Sequence, residues 1–276
     1  MTHPFLPYVG TLTEARDLAV GIKFFRVRLE EEAGRQAFAD YRPGQFAFLS
    51  AFGVGEAPFG LAGIPARSPE LEFAVARMGT VTSALHNLEE GAPLGVRGPM
   101  GNWFPMAEFT GKNLVIIGGG IGLPPLRSVI YYILDHRTDY GHLTILAAAR
   151  APNLLVFREE YDEWAAAPDT EFHLTVDVAD ETWSGNVGLV TELQAQVEPS
   201  PQDAVAVTCG PPIMIKFVIQ LLQKQGFLPE QIYTTLEMKM KCGLGKCGRC
   251  NIGEHYVCLD GPVFSHAQIL NFVDSF

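Results

Sequence analysis

The stretch from residue 113 to residue 224 constrains the fold most, because strand-like apolar runs alternate along it with helix-like segments. Residues 113–117 are almost wholly apolar, which is typical of a strand buried on both faces of a parallel sheet. Further strands are predicted at 143–149, 171–176 and 204–209, and helices at 126–134, 155–167, 189–196 and 213–224. This alternation predicts a parallel sheet with helices on both faces.

The first hundred residues have a different pattern, in which short β-type runs are separated by turn residues such as Arg42-Pro43-Gly44. Short strands with this punctuation indicate an antiparallel barrel. Residues 80–90 are the exception, because helix-forming residues there place Val81, Leu85 and Leu88 at helical spacing. The strands are predicted at 21–29, 45–50, 71–76 and 93–97.

A length of 276 residues allows two domains and a small appendage. We expect a barrel at 1–107, a parallel-sheet α/β domain at 108–233 and a cysteine-containing segment at 234–276, so the predicted fold class is β plus α/β.

No apolar run reaches the ~18 residues that a membrane span needs. The net charge of −11 argues against nucleic-acid binding, because no basic stripe is available to neutralise phosphates.

Four of the five cysteines lie near the C-terminus, at Cys242, Cys247, Cys250 and Cys258. The first three have the Cys-x4-Cys-x2-Cys spacing of plant-type [2Fe–2S] ferredoxins, and the glycines among them let a loop curl and point amides at sulfur. Structural zinc usually uses two similar Cys-x2–4-Cys pairs, and disulfides would require an exported chain. The spacing therefore favours an iron–sulfur cluster over zinc or disulfides. Because thiols that bind a cluster must stay reduced, we expect the chain to be cytoplasmic.

A glycine-rich loop, Gly118-Gly119-Gly120-Ile121-Gly122, joins the strand at 113–117 to the following helix. Glycines in that setting let the backbone approach a pyrophosphate at a helix N-terminus, although a tight turn has the same composition. Cys209-Gly210-Pro211 ends another strand, and ligands of open α/β sheets lie beyond the carboxyl ends of the strands. Both segments are therefore predicted to face one nucleotide, with a buried structural cysteine as the alternative for Cys209.

A phosphate-binding role is also possible where residues 79–85 open the helix in the first domain. Free N–H groups and hydroxyls at a helix start can hold a phosphate group. A threonine-capped helix without a ligand would have the same residues.

Taken together and in this order, these motifs resemble the ferredoxin–NADP reductase superfamily, and more closely its branch with a C-terminal [2Fe–2S] loop. That branch includes the electron-transfer subunit of dihydroorotate dehydrogenase and the diaphorase (gamma) subunit of NAD(P)-linked nickel–iron hydrogenases or sulfhydrogenases. Residues 53–58 together with residues 242–250 look most like the hydrogenase gamma branch. The motifs that carry the resemblance are residues 42–46, 53–58, 79–85, 97–101, 118–125, 209–211 and 242–250.

The resemblance implies FAD on the barrel, a nicotinamide nucleotide on the parallel-sheet domain and a [2Fe–2S] cluster on the four cysteines. Cys209 and Glu237 would orient and polarise the nicotinamide. The flavin contacts would come from Pro58, Phe59, Gly60, Leu61, Val75, Arg77, Gly79, Val81 and Thr82. The nucleotide contacts would come from Gly119, Gly120, Ile121, Gly122, Leu123, Pro124, Arg150, Gly210, Pro211 and Met214.

The expected function is that of a diaphorase subunit, which exchanges hydride with NAD(P)(H) through FAD and single electrons with a partner enzyme through [2Fe–2S]. The partner is predicted to be a nickel–iron hydrogenase, with dihydroorotate dehydrogenase as the alternative. The superfamily's Arg-x-Tyr-Ser flavin motif is replaced by Ala57-Pro58-Phe59-Gly60, so a flavin-less binding or assembly module is a further alternative. Arg150 follows a predicted strand, where an arginine favours the 2′-phosphate of NADP(H).

The region around the cysteines carries the main concentration of basic residues in this acidic chain. One interpretation is that they form a docking face for an acidic partner subunit. The other is that they solvate the loop or offset the charge of the thiolates. The residues concerned are Lys239, Lys241, Lys246 and Arg249.

Overall fold

The computed structural model describes residues 4–272, which form two compact units. The first unit contains residues 4–104 and 236–262, and the second contains residues 105–235 and 263–272. The segment expected at 234–276 is thus divided, because its cysteine-containing part belongs to the first unit and residues 263–272 to the second. Among the described residues, every helix is too short or too polar to cross a bilayer.

The first unit is built on a six-stranded antiparallel sheet with the order β4-β3-β6-β1-β2-β5. The strands are β1 (Tyr8–Ala19), β2 (Ile22–Leu29), β3 (Phe46–Ala51), β4 (Gly55–Gly60), β5 (Leu71–Ala76) and β6 (Pro93–Met100). Two short helices accompany them, α1 (Glu32–Ala37) and α2 (Thr80–His86).

The core of the first unit is formed by side chains that alternate along these strands. Phe25 and Val27 of β2 are fully buried with Phe73 and Val75 of β5, and Leu85 of α2 joins the same cluster. Burial of one such side chain contributes about 1.5–3 kcal/mol. The predicted antiparallel β class of this region is therefore confirmed.

The second unit contains a seven-stranded sheet. Its first six strands are β7 (Asn113–Gly119), β8 (Leu143–Ala149), β9 (Thr170–Val176), β10 (Asn186–Val187), β11 (Ala204–Cys209) and β12 (Ile232–Thr235). Its helices are α3 (Leu123–Asp135), α4 (Tyr161–Ala166), α5 (Val190–Val197), α6 (Pro212–Lys224) and, after the cysteines, α7 (His266–Ile269). The cysteine segment of the first unit has one small hairpin, β13 (Asn251–Ile252) with β14 (His255–Tyr256), and it is followed by β15 (Val263–Ser265) of the second unit.

The strand order of this sheet, β10-β9-β8-β7-β11-β12-β15, contains a topological switch point. The chain starts in the middle at β7, runs outward through β8 and β9, and then returns to place β11 on the other side of β7. All neighbouring pairs are parallel except β12 with β15, which is antiparallel. Ligands of such sheets bind where the strand order reverses, which here is between β7 and β11.

Helices cover both faces of the sheet, as predicted. Helices α5 and α6 pack on the face that carries Val115 and Ile117, whereas α3 lies on the opposite face. Gly118 permits this approach, because a Cβ there would lie 2.8 Å from Cδ1 of Leu123. The helix expected at 155–167 is shorter than predicted, because Phe157 has a left-handed φ of 58° and regular helix begins only at Tyr161, after a 3₁₀ turn.

Candidate cofactor sites

The two loops predicted to share a nucleotide do meet at the switch point of the second unit. A Cβ on Gly122 would lie 2.4 Å from the carbonyl oxygen of Cys209 and 2.5 Å from Cα of Gly210. A Cβ on Gly119 would lie 2.3 Å from Sδ of Met214, the third residue of α6. The structure therefore brings together the glycine loop, Cys209-Gly210 and Met214, as a dinucleotide site at this sheet edge requires.

The glycine loop leads directly into α3, a helix of 13 residues with Pro124 and Pro125 in its first turn. Leu123 and Pro124 are buried, whereas Ile121 is exposed and Gly120 has a left-handed φ of 53°. The helix dipole favours an anion at this end, and proline fits a first turn that needs no N–H donor.

Cys209 is a buried thiol at the end of β11, and its sulfur accepts a hydrogen bond of 2.9 Å from Oγ1 of Thr235 on β12. The contact fixes the side chain beside Gly122 and Gly210. Thr235 was not anticipated from the sequence, because nothing within its own segment marks it and only the pairing of β11 with β12 places it there.

Arg150 is exposed and directly follows β8. Asp177, just beyond the neighbouring strand β9, is close enough to feel its charge. Burial raises the pKa of Asp177 above its usual value, and the positive charge of Arg150 partly offsets that rise. An arginine and a carboxylate thus lie together at the edge where an adenosine ribose would be recognised.

The predicted flavin contacts of the first unit fall into two groups. Pro58, Phe59 and Gly60 lie on the end strand β4 and are half-buried, with Phe59 packed against the core. Leu61 and Val75 are fully buried core side chains, so a flavin would meet their main chain rather than their side chains.

The second group surrounds the start of α2, where the hydroxyl of Thr82 organises the turn. It accepts hydrogen bonds of 2.8 Å from the amides of Met78 and Gly79, and it donates to the carbonyl oxygen of Gly79 at 3.1 Å. Val81 packs against the core, and Arg77 is exposed and donates to the hydroxyl of Ser83 at 3.3 Å.

The four clustered cysteines of the first unit bring their sulfurs together in two pairs. Cys242 lies within hydrogen-bond reach of Cys247, and Cys250 lies within reach of Cys258. Cys247 is exposed and the other three are buried. Within residues 4–272, no three His, Cys, Asp or Glu side chains are grouped closely enough to hold one metal ion, and the four thiols are arranged as two pairs.

Backbone amides of the cysteine loop point at these sulfurs. The amides of Leu244 and Lys246 each lie 3.4 Å from Sγ of Cys242, and the amide of Gly245 lies 3.2 Å from Sγ of Cys258. The left-handed φ values of 70° at Gly243 and 66° at Gly245 turn the loop into this cradle.

The amides change the acidity of the thiols. Burial opposes ionisation of Cys242 most strongly, but the amides of Leu244, Cys247 and Lys246 together lower the pKa of its thiol to about 7. Burial, followed by the hydrogen bond with Cys250, raises the pKa of the Cys258 thiol to about 12. Four neighbouring thiols, two of which accept hydrogen bonds from loop amides, fit the requirements of an iron–sulfur cluster.

The cysteine loop is fastened at its base and along its length within the first unit. The amide of Leu236 donates to the carbonyl oxygen of Pro262 at 2.8 Å, which closes the loop. Asn102 donates from Nδ2 to the carbonyl oxygen of Asp260 at 2.8 Å. A Cβ on Gly243 would lie 2.6 Å from Sδ of Met100, so the loop packs directly against β6. Glu237, at the start of the loop, is exposed.

Arg97 of β6 is a further residue at this site that the sequence did not identify individually. Its Nη1 donates to the carbonyl oxygen of Cys242 at 2.8 Å. Both Arg97 and Asn102 lie at or beside the motif at 97–101, which was the only signal in the sequence for either residue.

Two family models match the chain at the sites just described. Residues 116–220 match the oxidoreductase NAD-binding domain, and residues 237–270 match the iron–sulfur cluster binding domain of dihydroorotate dehydrogenase B. The first match contains the glycine loop and Cys209-Gly210, and the second contains all four clustered cysteines.

Comparison with curated proteins decides the family. The gamma subunit of sulfhydrogenase 1 from Pyrococcus furiosus is 37% identical over 256 residues, which cover 90% of this chain and 87% of that protein. The chain belongs to the family of sulfhydrogenase gamma subunits and dihydroorotate dehydrogenase B electron transfer subunits. Another member of this family, the probable dihydroorotate dehydrogenase B (NAD(+)) electron transfer subunit of Methanocaldococcus jannaschii, is 34% identical, with coverage of 82% and 79%.

A solved structure shares the fold of this chain over the full length of the chain. The NADH-dependent reduced ferredoxin–NADP oxidoreductase, described in relation to flavin-based electron bifurcation, matches with a TM-score of 0.76 and 21% identity. The match covers 100% of this chain and 95% of the other. The predicted superfamily and fold class are confirmed, and the chain is an oxidoreductase with an NAD-binding domain and an iron–sulfur cluster binding domain.

Proposed function

We propose that this chain is the diaphorase subunit of a larger redox enzyme. It exchanges hydride with NAD(P)(H) through FAD, and it passes single electrons through a [2Fe–2S] cluster to or from a partner, which we propose is a nickel–iron hydrogenase. The observation that carries the proposal is the convergence of four cysteine sulfurs in two pairs under loop amides, in a chain with an NAD-binding domain.

Bound FAD would supply the exchange between a hydride, which carries two electrons, and the single electrons that an iron–sulfur cluster accepts. The chain's own residues bind and orient. Gly119, Gly122 and Met214 form the pyrophosphate-binding side of the nucleotide site, and Gly79 with Thr82 forms the predicted phosphate-binding turn for the flavin. Cys209, held by Thr235, and Glu237 are proposed to orient and polarise the nicotinamide.

We propose the [2Fe–2S] type from the spacing and pairing of the cysteines. Two pairs of cysteine thiols and no other ligand type suit two irons, each held by two thiolates. The amides at Cys242 stabilise its thiolate form, which is the form that binds iron. Because such thiols must stay reduced until the cluster is inserted, we propose that the protein functions in the cytoplasm.

The cluster proposal is tested by comparing two cysteine variants after anaerobic purification. Cys250→Ser removes one of the paired sulfurs and should abolish or shift the EPR signal of the reduced cluster, while NAD(P)H still reduces FAD. Cys209→Ser is the matched control, because this cysteine belongs to the second unit and should leave the iron content unchanged. Stoichiometric zinc without iron in the wild-type protein would refute the assignment, and absence of flavin would favour a binding or assembly module.

The nucleotide preference is tested at Arg150. We propose that its guanidinium pairs with the 2′-phosphate of NADP(H), so Arg150→Ala should lower kcat/KM for NADPH more than for NADH. Arg158→Ala is the control, because Arg158 is also exposed and lies shortly after the same strand. An unchanged ratio of the two kcat/KM values in Arg150→Ala would show that this arginine does not select the nucleotide.

Dihydroorotate dehydrogenase is the second candidate partner, because residues 237–270 match the cluster domain of that enzyme. Co-purification from the native organism distinguishes the two partners. A complex that contains nickel and oxidises or evolves hydrogen supports the hydrogenase, whereas dihydroorotate oxidation coupled to NAD(P)⁺ reduction supports the alternative.

A further inference from the structure

Arg97 is a buried cation that touches the main chain of a cluster ligand. Only 3% of the residue is exposed, and its Nη1 lies 2.8 Å from the carbonyl oxygen of Cys242. Its Nε and Nη2 donate to the two carboxylate oxygens of Glu56 at 3.2 and 2.5 Å. The guanidinium also lies over the ring of Phe48, 4.4 Å from the ring centroid.

The arrangement joins two of the sequence motifs that are far apart in the chain. Glu56 belongs to the motif at 53–58 and lies on β4, whereas Arg97 begins the motif at 97–101 and lies on β6. Both residues lie in the first unit, whereas the residues that match the NAD-binding domain lie in the second. An arginine is rarely buried without a specific partner, and here the partners are the carboxylate of Glu56 and the carbonyl oxygen of Cys242.

The two charges of the pair are unequally screened. The Arg97 side chain is 4% exposed, whereas the Glu56 side chain is 31% exposed. Water therefore weakens the field of the carboxylate more than that of the guanidinium. In addition, Nη1 of Arg97 contacts the Cys242 carbonyl directly, whereas Glu56 is bound by the other two nitrogens of the guanidinium, Nε and Nη2. Of the two charges, the guanidinium of Arg97 is therefore expected to act more strongly on Cys242.

We propose that Arg97 is a positioning residue that raises the reduction potential of the cluster held by Cys242, Cys247, Cys250 and Cys258, and that Glu56 moderates this effect. The proposal rests on the cluster assigned under the proposed function. Reduction adds one negative charge to the cluster, so a nearby buried cation stabilises the reduced state more than the oxidised state. The hydrogen bond to the Cys242 carbonyl also holds this part of the loop on β6, where Gly243 packs against Met100.

The test is a potentiometric titration of the cluster in the holo-protein, followed by EPR. Arg97→Met should lower the midpoint potential, because it removes the cation and leaves Glu56 uncompensated. Glu56→Gln should raise it, because it removes the opposing charge and keeps the cation. Arg97→Lys retains the positive charge but not the planar guanidinium that binds Glu56 and the Cys242 carbonyl together. Its midpoint potential should lie between those of wild type and Arg97→Met. Arg42→Met, which removes an exposed cation of the same unit that lies over Trp103, is the control and should cause no shift.

Opposite signs of the two shifts are the decisive result, because a merely structural loosening of the loop would move both variants in the same direction. Equal potentials in wild type, Arg97→Met and Glu56→Gln, with the iron content intact, would overturn the inference while leaving the proposed function standing. If Arg97→Met cannot assemble its cluster, the Glu56→Gln titration decides alone. Its upward shift supports the proposal, and an unchanged or lower potential overturns it. Wild-type protein without iron would refute the proposed function and this inference together.

Discussion

At the scale of single residues, the nucleotide site depends on a missing side chain. Gly122 approaches the main chain of Cys209 and Gly210 so closely that a Cβ would lie 2.4–2.5 Å from three of their backbone atoms. Backbone atoms on both sides cannot rotate away as a flexible side chain would. Two loops from neighbouring parallel strands therefore meet only because this position has no side chain.

We expect Gly122→Ala to raise KM for NAD(P)H. The added methyl must push the two loops apart, and overpacking of this kind costs about 1–3 kcal/mol, which corresponds to roughly 5-fold to 150-fold in affinity. Steady-state kinetics with an artificial electron acceptor measures the effect. Flavin and iron contents should stay at wild-type values, because the substitution lies in the second unit. A KM within twofold of wild type would show that the loops can separate without loss of binding.

The residues of the sites were predicted unevenly from the sequence, and the reason is distance along the chain. The clustered cysteines and the glycine loop are local patterns, so their spacing alone identified them. Thr235 and Arg97 act on residues 26 and 145 positions away, and only strand pairing and loop packing bring these groups together. A single sequence contains no signal for such contacts.

At the scale of secondary-structure elements, a buried ion pair ties α3 to the 3₁₀ turn that precedes α4. Nε of Arg127 donates to the two carboxylate oxygens of Glu160 at 2.9 and 2.8 Å, and its Nη2 donates to the hydroxyl of Tyr131 at 2.7 Å. The guanidinium is also stacked over the rings of Tyr131 and Phe157. Arg127 and Glu160 are 4% and 8% exposed, so water does little to compensate either charge.

Removal of one partner of this pair should destabilise the second unit strongly. Arg127→Met leaves a buried carboxylate without its main counter-charge, and we expect a loss of about 3–5 kcal/mol in the free energy of unfolding. Urea unfolding followed by tryptophan fluorescence measures it. The control is Lys112→Met, which breaks the exposed Lys112–Asp203 pair of the same unit and should cost less than about 1 kcal/mol. Similar losses in both variants would contradict the distinction between buried and exposed pairs.

The packing of α4 on β9 predicts a loss of stability in alkali. Tyr161 of α4 lies 4.9 Å from the ring of Phe172 and donates its hydroxyl proton to the carbonyl oxygen of Val156 at 2.8 Å. Burial raises the pKa of Tyr161 far above its usual value, and burial also raises the pKa of Tyr140 to about 12.

The sign of the pH effect follows from proton binding. The folded state holds these phenol protons more tightly than the unfolded state, so the free energy of unfolding should fall as pH rises above about 10. Tyr161→Phe should reduce that slope, and Tyr140→Phe with Tyr161→Phe should reduce it further. Urea titrations between about pH 9 and pH 11 would reveal it. An unchanged slope in the double variant would mean that other groups govern alkaline stability.

Strongly apolar strands were predicted well, whereas strands of mixed or turn-like composition were not. The strands Leu71–Ala76, Leu143–Ala149 and Ala204–Cys209 were predicted to the residue, because nearly all of their residues are buried. Strand β4 contains two glycines and a proline and therefore has the composition of a turn. Strand β15 was missed because its only strand partner is β12, on the far side of the cysteine segment.

At the scale of the whole molecule, charge is distributed unevenly. The chain carries a net charge of −11, yet Lys239, Lys241, Lys246 and Arg249 are all exposed on the cysteine segment. Complementary charge steers association of partners and is weakened by salt. A basic surface around the cluster would therefore suit an acidic partner subunit.

We expect Lys246→Glu with Arg249→Glu to weaken complex formation with the partner subunit, while flavin and cluster contents are retained. Electron transfer to the partner should also decline with salt in the wild-type protein, whereas reduction of an artificial acceptor should change less. Lys216→Glu with Lys224→Glu is the matched control, because it alters the net charge equally on the exposed side of α6. Equal effects of the two double variants across a salt series would place the docking face elsewhere.

The closed base of the cysteine loop has a consequence for how such a molecule could arise. Because Leu236 and Pro262 are joined by one backbone hydrogen bond, the whole segment between them could be exchanged for a short turn linking β12 to β15. At the level of the gene, removal of the codons between these two residues would interrupt no strand of the nucleotide-binding sheet. A reductase could therefore gain or lose its iron–sulfur segment, and with it a site for single-electron transfer, in a single insertion or deletion.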